Sequence, residues 1–256
     1  MTKTITDVQS IFSSIAPDYD RLNTLLTLNI DQLWRKKAVR ICAIKEQDKV
    51  LDLCCGTGKM IELECKDIGK STKVIGLDFN REMLKVGYEK LNKSCHKNQF
   101  KLLQGDIMEL PFEENSFDCI TIAFGLRNIA DKRMAIAEMF RVLKPGGRLV
   151  CLELSKPAIP IIKSIYNLYF NYMLPYIGYL GTGDKTAYYY LRDSVNSFMT
   201  KSQLRSEFKK AGFENSGFIS LSFGIASIHY GNKPLSCKLI SYIEKNQERS
   251  CGKCIF

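Results

Sequence analysis

The sequence predicts an α/β fold with a mostly parallel sheet and helical connections. Two observations favour this class: β-branched runs alternate with helical patterns between about residues 48 and 155, and two further strand-like runs follow after a break. At 256 residues with 45% hydrophobic side chains, the chain is long enough for one sizeable core. We therefore expect a single Rossmann-like domain with a seven-stranded sheet and added helical segments.

Five strand-like runs make up the first part of the predicted sheet. They are KVLDL (49–53), KVIGLDF (73–79), FKLLQGDI (100–107), FDCITIAFG (117–125) and GRLVCLELS (147–155). Helical patterns over 81–91 and 131–143 separate some of them, and the KPGG run at 144–147 is typical of a helix end. Because crossover connections are right-handed, we expect these five strands to be parallel.

Helical segments flank this core. Residues 1–47 are predicted to form an N-terminal helical lid on a domain that spans residues 48–233. The tyrosine-rich residues 156–200 interrupt the sheet pattern, which indicates a helical insertion over the carboxyl edge of the sheet. A helix over 201–211 and strands near 218–221 and 225–229 complete the domain. Residues 234–256 are expected to be a polar, basic and loosely held tail.

The composition limits the classes of function. Lys and Arg number 37 against 27 acids, and the net charge of +10 favours an anionic partner such as nucleic acid, phospholipid or a small molecule. The start MTKTIT lacks a secretory pattern, and polar residues and Pro175 interrupt the most apolar stretch, at 158–180. We expect a cytoplasmic protein with reduced cysteines, without a membrane span and without a metal site.

The turn after the first strand reads DLCCGTG, from Asp52 to Gly58. Gly56 and Gly58, on either side of Thr57, allow the backbone to approach a ligand closely. A dinucleotide-binding turn would carry a third glycine where this chain has Ile61. Asp52 would repel a pyrophosphate, whereas it can bind an ammonium group directly or through water. The turn therefore favours S-adenosylmethionine over NAD as cofactor.

Acidic residues also end the next two strands. Asp78 lies about 20 residues beyond the glycine turn, where an acid can accept both ribose hydroxyls. Asp106 can accept the adenine amino hydrogens while Ile107 packs on the ring. A single strand-end aspartate is often only a helix cap or a turn residue. Three in succession after a Gly-x-Gly turn favour a cofactor site.

Longer motifs carry a family resemblance. They are RVLKPGGRL at 141–149 continuing to Glu153 and Ser155, FGLRN at 124–128, YDRLN at 19–23 continuing to Trp34, and YxYL at 188–191 with Ser194. Together they resemble the ubiquinone/menaquinone biosynthesis C-methyltransferases, which are class I S-adenosylmethionine-dependent methyltransferases, over about residues 8–233. The family pattern has methionine, serine, glycine and histidine where this chain has Leu22, Thr27, Asn29 and Asp31.

The resemblance implies methyl transfer to a ring carbon of a prenylated quinol. The substrate would be demethylmenaquinol, or alternatively the methoxy-benzoquinol precursor of ubiquinone. Arg127 is expected to stabilise a developing phenolate, or instead to pair with a structural carboxylate. Tyr19, Asp20, Asn23 and Asp31 lie on a segment that the family folds over the ring. One of these two acids would act as a base through a water, although Asp31 replaces a group that titrates near neutrality.

Residues 161–177, plotted at helical spacing, predict an amphipathic face. Lys163, Ser164, Asn167 and Asn171 form a polar arc, and tyrosines and isoleucines form the remainder. The apolar part is either core or dimer packing, or it contacts the prenyl tail and an anionic membrane surface at the inner face of the membrane. The sequence leaves these two interpretations open.

Three other functional hypotheses remain at this point. An RNA methyltransferase has only the net charge in its favour, since no stacking and arginine-rich appendage is evident, and nucleic acid is not an expected partner. A methyltransferase for another small molecule, such as a sterol or polyketide, would share Gly56, Gly58 and Asp78. A regulator that senses S-adenosylmethionine would leave Arg127 and the Tyr19 segment without a role. The sequence does not predict the oligomeric state.

Overall fold

One sheet forms the centre of the part of the chain that the computed structural model describes, which is residues 5–67, 73–96, 98–173 and 186–235. In these residues the sheet has seven strands in the order β3-β2-β1-β4-β5-β7-β6. All strands are parallel except β7, which runs antiparallel to its neighbours β5 and β6. The strands are β1 (Lys49–Leu53), β2 (Lys73–Asp78), β3 (Phe100–Gln104), β4 (Phe117–Ala123), β5 (Leu143–Leu154), β6 (Glu214–Leu221) and β7 (Ala226–Asn232).

Helices cover both faces of this sheet. They are α1 (Ile5–Ile15), α2 (Tyr19–Thr27), α3 (Ile30–Cys42), α4 (Lys59–Asp67), α5 (Arg81–Ser94), α6 (Lys132–Val142), α7 (Pro160–Leu168), α8 (Thr186–Ser197) and α9 (Lys201–Lys210). One face packs against α3, α4 and α5, and the other against α6 and α9. Because both faces are buried, the strands read as nearly continuous apolar runs. The predicted seven-stranded Rossmann-like α/β fold is confirmed.

Side-chain caps explain where several helices begin. The Asn80 side chain accepts the backbone N–H of Met83 at the start of α5, and Asp131 caps α6 in the same way. At α9, Thr200 and Gln203 form a reciprocal capping box. These polar residues satisfy amide groups that helix geometry leaves unpaired, so each helix begins directly after its strand or turn.

Several boundaries differ from the sequence prediction. Helix α6 ends at Val142, and β5 begins at Leu143 rather than at residue 147. Leu143 pairs with Phe117, and a register shift follows before the regular pairing resumes. The KPGG run therefore lies inside an irregular strand and not in a loop. The last two strands are also longer than predicted, at 214–221 and 226–232.

The flanking N-terminal segment places helices at the carboxyl edge of the sheet and on one of its faces. Helices α1 and α2 lie over the carboxyl ends of the strands, while α3 packs on the sheet face through Ala38, Val39 and Cys42. The predicted 161–177 helix is α7 followed by a single π-helical turn at Tyr169–Met173, and residues 174–177 lie outside the described part. The tail prediction, beyond residue 235, also lies outside it.

None of the described helices combines the length and the apolar character that a membrane crossing requires.

Candidate active site

A cavity opens at the carboxyl ends of β1, β2, β3 and β4, and we call it the strand-end cavity. Its volume is about 950 Å³, including the part open to solvent. Gly56, Asp78, Asp106 and Ile107 line it, as the strand-end pattern predicted for a ligand site. Ligands of open parallel sheets bind at this edge because the strand order reverses there, here between β1 and β4.

The glycine turn shapes one wall of the strand-end cavity. Gly56 has a φ of +54°, and a Cβ placed on it would meet nothing within 4 Å, so its backbone faces open space. The Gly56 N–H donates to Asp78 Oδ2 at 2.8 Å, and the Asn80 N–H donates to Asp78 Oδ1 at 2.8 Å. Burial raises the pKa of Asp78, although these backbone donors oppose the shift. Asp78 is thereby held in one orientation with its remaining lone pairs available to a ligand.

Asp52 lies below the same turn, in a small recess shared with Gly56, Thr57 and Lys59. It is only 1% exposed, and within the described residues its Oδ2 has no hydrogen-bond partner. Burial raises the pKa of Asp52 to about 7. A buried acceptor without a donor is costly unless a ligand satisfies it. Asp52 Oδ2 is therefore an unused acceptor for a donor group of a ligand, in a recess that Arg35 and Lys59 also line.

The two other predicted cofactor residues occupy different positions. Gly58 lies behind the turn, where an added Cβ would come within 2.7 Å of Leu91 Cδ1 on α5. Its lack of a side chain lets α5 approach the turn closely. Thr57 lines the recess, and its hydroxyl donates to Asp20 Oδ1 at 2.7 Å. The structure thus links the turn to the N-terminal helices through a residue that the sequence assigned to the cofactor.

A second cavity, which we call the helix-lined cavity, lies between α2, α3, α7, the 169–173 turn and α8. Its volume is about 890 Å³, and its lining is mainly aromatic and aliphatic. Four of the predicted catalytic residues line it: Tyr19, Asn23, Asp31 and Arg127. Tyr19 and Phe124 line both this cavity and the strand-end cavity. The two cavities therefore meet at these two rings.

Arg127 pairs with the buried carboxylate of Glu153, which the sequence analysis named within a motif but not as a site residue. Its Nη1 lies 2.9 Å from Glu153 Oε2 and also donates to the Phe124 carbonyl oxygen, while the Arg127 N–H donates to Glu153 Oε1 at 3.1 Å. Burial alone would lower the pKa of Arg127, but Glu153 outweighs it and the pKa is raised. Within the described residues the Nε atom has no hydrogen-bond partner. Arg127 therefore has the carboxylate partner of one expectation, and it also lines the helix-lined cavity.

Asp31 is buried in the wall of the helix-lined cavity, with 1% exposure. Its Oδ2 lies 3.3 Å from Arg35 Nε and 3.7 Å from Lys59 Nζ, and its Oδ1 lies 3.0 Å from Thr27 Oγ1, which is also 2.7 Å from the Asn23 carbonyl oxygen. A buried carboxylate between two cations is electrostatically compensated. Asp31, at the position where the family pattern has histidine, thus forms a charge cluster with Arg35 and Lys59.

Asp20 lies apart from the wall of the helix-lined cavity and connects two other elements. Its carboxylate accepts the Thr57 hydroxyl at 2.7 Å and Lys90 Nζ at 2.8 Å. Burial opposes ionisation, but Lys90 and Thr57 outweigh it and lower the pKa of Asp20. Asp20 therefore ties α2 to the glycine turn and to α5.

Sequence reasoning missed Glu153, Lys59 and Phe124 as members of the site. A signal existed for Glu153, because it is an acid inside a strand that is otherwise apolar. Lys59 directly follows the glycine turn and is only 8% exposed, which is unusual for a lysine. The role of Phe124 as a shared wall depends on how β4 ends, which residue type alone does not indicate.

With this geometry established, comparison with known proteins identifies the family. The sequence model of the ubiE/COQ5 methyltransferase family matches residues 1–233. The chain belongs to this family. Among curated members, the demethylmenaquinone methyltransferase of Staphylococcus carnosus (strain TM300) is 43% identical over 226 residues, covering 88% of this chain and 92% of the relative. The protein of that name from Staphylococcus aureus (strain JH9) is 42% identical with the same coverage.

Solved structures of more distant methyltransferases share the fold of this ubiE/COQ5 family member. A SAM-dependent methyltransferase from Thermotoga maritima aligns with a TM-score of 0.63 and 20% identity over 88% of this chain and 98% of that one. Another from Aquifex aeolicus aligns with a TM-score of 0.60 and 20% identity over 83% and 96%. The chain is a methyltransferase, and S-adenosylmethionine is its methyl donor.

Proposed function

We propose that this methyltransferase converts demethylmenaquinol to menaquinol by methylating a ring carbon of the prenylated naphthoquinol. The observation that carries the proposal is the meeting of the strand-end cavity and the aromatic helix-lined cavity at Tyr19 and Phe124. A methyl donor in the strand-end cavity and a quinol ring in the helix-lined cavity would then face each other beside the Tyr19 and Phe124 side chains. The names of the relatives at 42–43% identity support the same substrate.

In this proposal the strand-end residues hold the donor, which supplies an electrophilic methyl group. Asp78 would accept the ribose hydroxyls on lone pairs not used by the Gly56 and Asn80 amides. Asp106 and Ile107 would bind the adenine, and Asp52 would accept the ammonium group in the recess. Fixing the donor in this way converts methyl transfer into a reaction between positioned partners.

The residues of the helix-lined cavity would activate the quinol. Loss of a hydroxyl proton makes the ring electron-rich, and the charged Arg127 fork, held by Glu153, would stabilise the resulting phenolate. Asn23 and the Tyr19 hydroxyl line the same wall and would orient the ring.

Asp31 is the acid that this cavity offers, through a water, for taking up the quinol hydroxyl proton and, once the methyl group has bonded to the ring carbon, the proton that this carbon loses; water would pass each proton on to solvent. Both carboxylates have partners within the protein, but Asp31 lines the cavity and Asp20 does not. The lowered pKa of Asp20 also makes it a weaker base. Between the two acids on this segment, the geometry favours Asp31.

Transfer of labelled methyl groups from S-adenosylmethionine to a substrate panel tests the proposal. The panel contains demethylmenaquinol, the methoxy-benzoquinol precursor of ubiquinone, and bulk RNA. We expect efficient labelling of the naphthoquinol and none of RNA. Preferred labelling of the benzoquinol would instead assign the enzyme to ubiquinone biosynthesis. Absence of labelling on both quinols, with intact cofactor binding, would contradict a quinol methyltransferase.

We further propose that the mouth of the helix-lined cavity rests on an anionic membrane surface. Large apolar side chains from the elements that line this cavity are exposed: Leu25, Leu28, Leu33, Ile161, Ile165, Leu168, Tyr172 and Phe223. The Tyr169 hydroxyl donates to the Leu26 carbonyl at 2.7 Å, and Trp34 Nε1 donates to Ser222 Oγ at 2.9 Å, so these elements are neighbours. An insoluble prenyl tail could then pass from the lipid into the cavity.

Only part of the predicted 161–177 face would contact the membrane. Tyr166 and Phe170 are 6% exposed and stack at a centroid distance of 4.7 Å, so they belong to the protein interior. Ile161 and Ile165 are 72% and 62% exposed on the same helix. Core packing therefore describes the side with Tyr166 and Phe170, and the proposed membrane contact is limited to the side with Ile161 and Ile165.

Flotation with anionic liposomes at low and high salt tests this surface. The variant Leu28→Asn, Ile165→Ser, Phe223→Asn should float much less than wild type. Asparagine is chosen at 28 and 223 because it tolerates their φ values of 50° and 58°. Met134→Ser, on α6 and 50% exposed, is the matched control. Wild-type protein that never floats, or a triple variant that floats equally well, would contradict membrane contact.

A further inference from the structure

A threonine joins two buried carboxyl groups beneath the glycine turn. Thr121 Oγ1, on β4, lies 2.9 Å from Asp52 Oδ1 on β1 and 2.8 Å from Glu64 Oε1 on α4. The three residues are between 0% and 1% exposed. Asp52 and Thr121 are paired neighbours in the sheet, and α4 packs over this face. This cluster is part of the interior and not of the surface.

The number of hydrogens in this cluster restricts its protonation. A threonine hydroxyl has one hydrogen to donate, and an ionised carboxylate can only accept. If both acids were ionised, one contact at hydrogen-bond distance would join two acceptors, with two negative charges buried close together. At least one of the two carboxyl groups must therefore carry a proton that it donates to Thr121 Oγ1.

The surroundings favour Glu64 as the protonated member. Glu64 has no cation within salt-bridge distance in the described residues, and its Oε2 has no hydrogen-bond partner there. Burial, followed by the nearby Asp52, raises the pKa of Glu64 well above its ordinary range. Burial raises the pKa of Asp52 to about 7, while the hydrogen bond from Thr121 and then the charge of Arg35 oppose the rise; the causes that act on Glu64 include no such cation.

We propose that Glu64 and Thr121 are positioning residues for the cofactor's ammonium group. Glu64 keeps its proton at neutral pH and donates it to Thr121 Oγ1, and the Thr121 hydroxyl donates to Asp52 Oδ1. Asp52 Oδ2 is then left as an acceptor with no protein donor, at the recess where the ammonium would bind. The chain of hydrogen bonds turns two buried acids into one directed negative charge.

Other groups facing this cluster act on the charge of Asp52 in known directions. Arg35 on α3 favours its ionised form, and Asp78 on β2 opposes it. Cys42 on α3 lies nearby as a thiol, because burial raises the pKa of Cys42 well above its ordinary value. Arg35 therefore favours a charged Asp52, Thr121 is the donor that fixes its direction, and Lys59 on α4 is a second cation that lines the same recess.

Calorimetric titration with S-adenosylmethionine alone, from about pH 6 to about pH 9, tests the arrangement. Thr121→Val keeps the shape and removes the hydroxyl, so affinity near pH 7 should fall about tenfold. The midpoint of its pH dependence should also rise by about one unit, because Asp52 loses a donor that favours its charge. Thr121→Ser should restore both values, and Thr24→Val, at an exposed site, should change neither.

Glu64 variants determine where the proton resides. Glu64→Gln keeps a neutral donor and should bind within about twofold of wild type, whereas Glu64→Leu should lose about threefold. Glu62→Gln on the same helix is the control. A Glu64→Gln variant that binds several-fold tighter near pH 7 would place the proton on Asp52 and overturn the proposal. Unchanged affinity and midpoint in Thr121→Val would overturn it as well.

Infrared spectra of the cofactor-free protein provide a second measurement that does not depend on binding. At about pH 9, where Asp52 with its pKa of about 7 is ionised, the carbonyl band of a protonated carboxylic acid should be present in wild type, absent in Glu64→Gln and retained in Asp52→Asn. A band that disappears only in Asp52→Asn would reverse the assignment. Neither measurement uses a quinol, so an error in the proposed substrate would leave this result unaffected.

Discussion

The two cavities of this protein are built in different ways. The strand-end cavity takes its polar residues from the ends of consecutive strands, with Asp52, Asp78 and Asp106 each following the same structural rule. The helix-lined cavity gathers residues from segments as far apart in sequence as Tyr19 and Ile225. A ligand site made by the sheet is therefore visible as a local pattern. A site made by added helices depends on tertiary packing that no local pattern records.

The difference also concerns chemistry. The carboxylates of Asp78 and Asp106 line the strand-end cavity and that of Asp52 lines its recess, which suits a cofactor with hydroxyl, amino and ammonium donors. Aromatic rings dominate the helix-lined cavity, and its charged groups Arg35, Asp31 and Arg127 are partnered within the protein. If this division is functional, single substitutions should change the binding of one ligand and leave the other unaffected.

The largest expected effect is that of Arg127→Lys on turnover. Lysine can still pair with Glu153, but a point charge replaces the planar fork, so we expect kcat to fall by about 100-fold. Affinity for S-adenosylmethionine should stay within about twofold, because Arg127 lines only the helix-lined side. Arg21→Lys, whose side chain is 81% exposed, is the control. An unchanged kcat would remove Arg127 from the mechanism.

The second-largest expected effect is on cofactor binding, with quinol binding unchanged. Asp78→Ala leaves both ribose hydroxyls and the Gly56 amide without an acceptor, so cofactor affinity measured by calorimetry should fall on the order of 30-fold. The KM for quinol at saturating cofactor should stay near its wild-type value. Asp193→Ala, at an exposed position on α8, is the matched control. Wild-type cofactor affinity would show that the donor binds elsewhere.

A third prediction concerns stability against pH. The pKa of Asp52 is about 7 in the folded chain and near 3.8 when unfolded, so the folded state binds more protons between these values. The free energy of unfolding contributed by this group falls as pH rises from about 4 to about 7. Asp52→Asn lacks this penalty, so its melting temperature at pH 8 should exceed that of wild type by roughly 5 °C.

The same Asp52→Asn variant should lose its advantage near pH 4, where the wild-type carboxyl is protonated. It should also bind S-adenosylmethionine more weakly. Melting curves at pH 4 and pH 8 check the first point, and calorimetry checks the second. A variant that is less stable than wild type at pH 8 would mean that Asp52 is not a destabilising buried charge.

The smallest effect expected is that of Tyr169→Phe. It removes one hydrogen bond, from the Tyr169 hydroxyl to the Leu26 carbonyl, which joins two walls of the helix-lined cavity. We expect the KM for quinol to rise about threefold with cofactor affinity unchanged. Tyr172→Phe, 72% exposed, is the control. Equal KM values for both variants would show that this bond does not shape the quinol site.

The sequence was sufficient for the fold and for the strand-end residues because strand periodicity and strand-end acids are local features. It placed Tyr19, Asn23, Asp31 and Arg127 together only through the family resemblance. The pairing of Thr57 with Asp20 was not predicted, since the two residues are 37 positions apart and lie on different elements. The proximity of Glu64 to Asp52 likewise depends on how α4 packs on the sheet.

Tyr19 and Phe124 line both cavities, and this has a consequence for inhibitor design. A molecule that joins an adenosine-like head to a flat bicyclic ring would need only a short linker past these two rings to occupy both cavities. Once the head is bound, the ring would bind at a high effective concentration, so two weak ligands could combine into a strong one. The bicyclic half of such a compound would contact residues of the added helices. It would therefore bind this enzyme in preference to methyltransferases that share only the sheet.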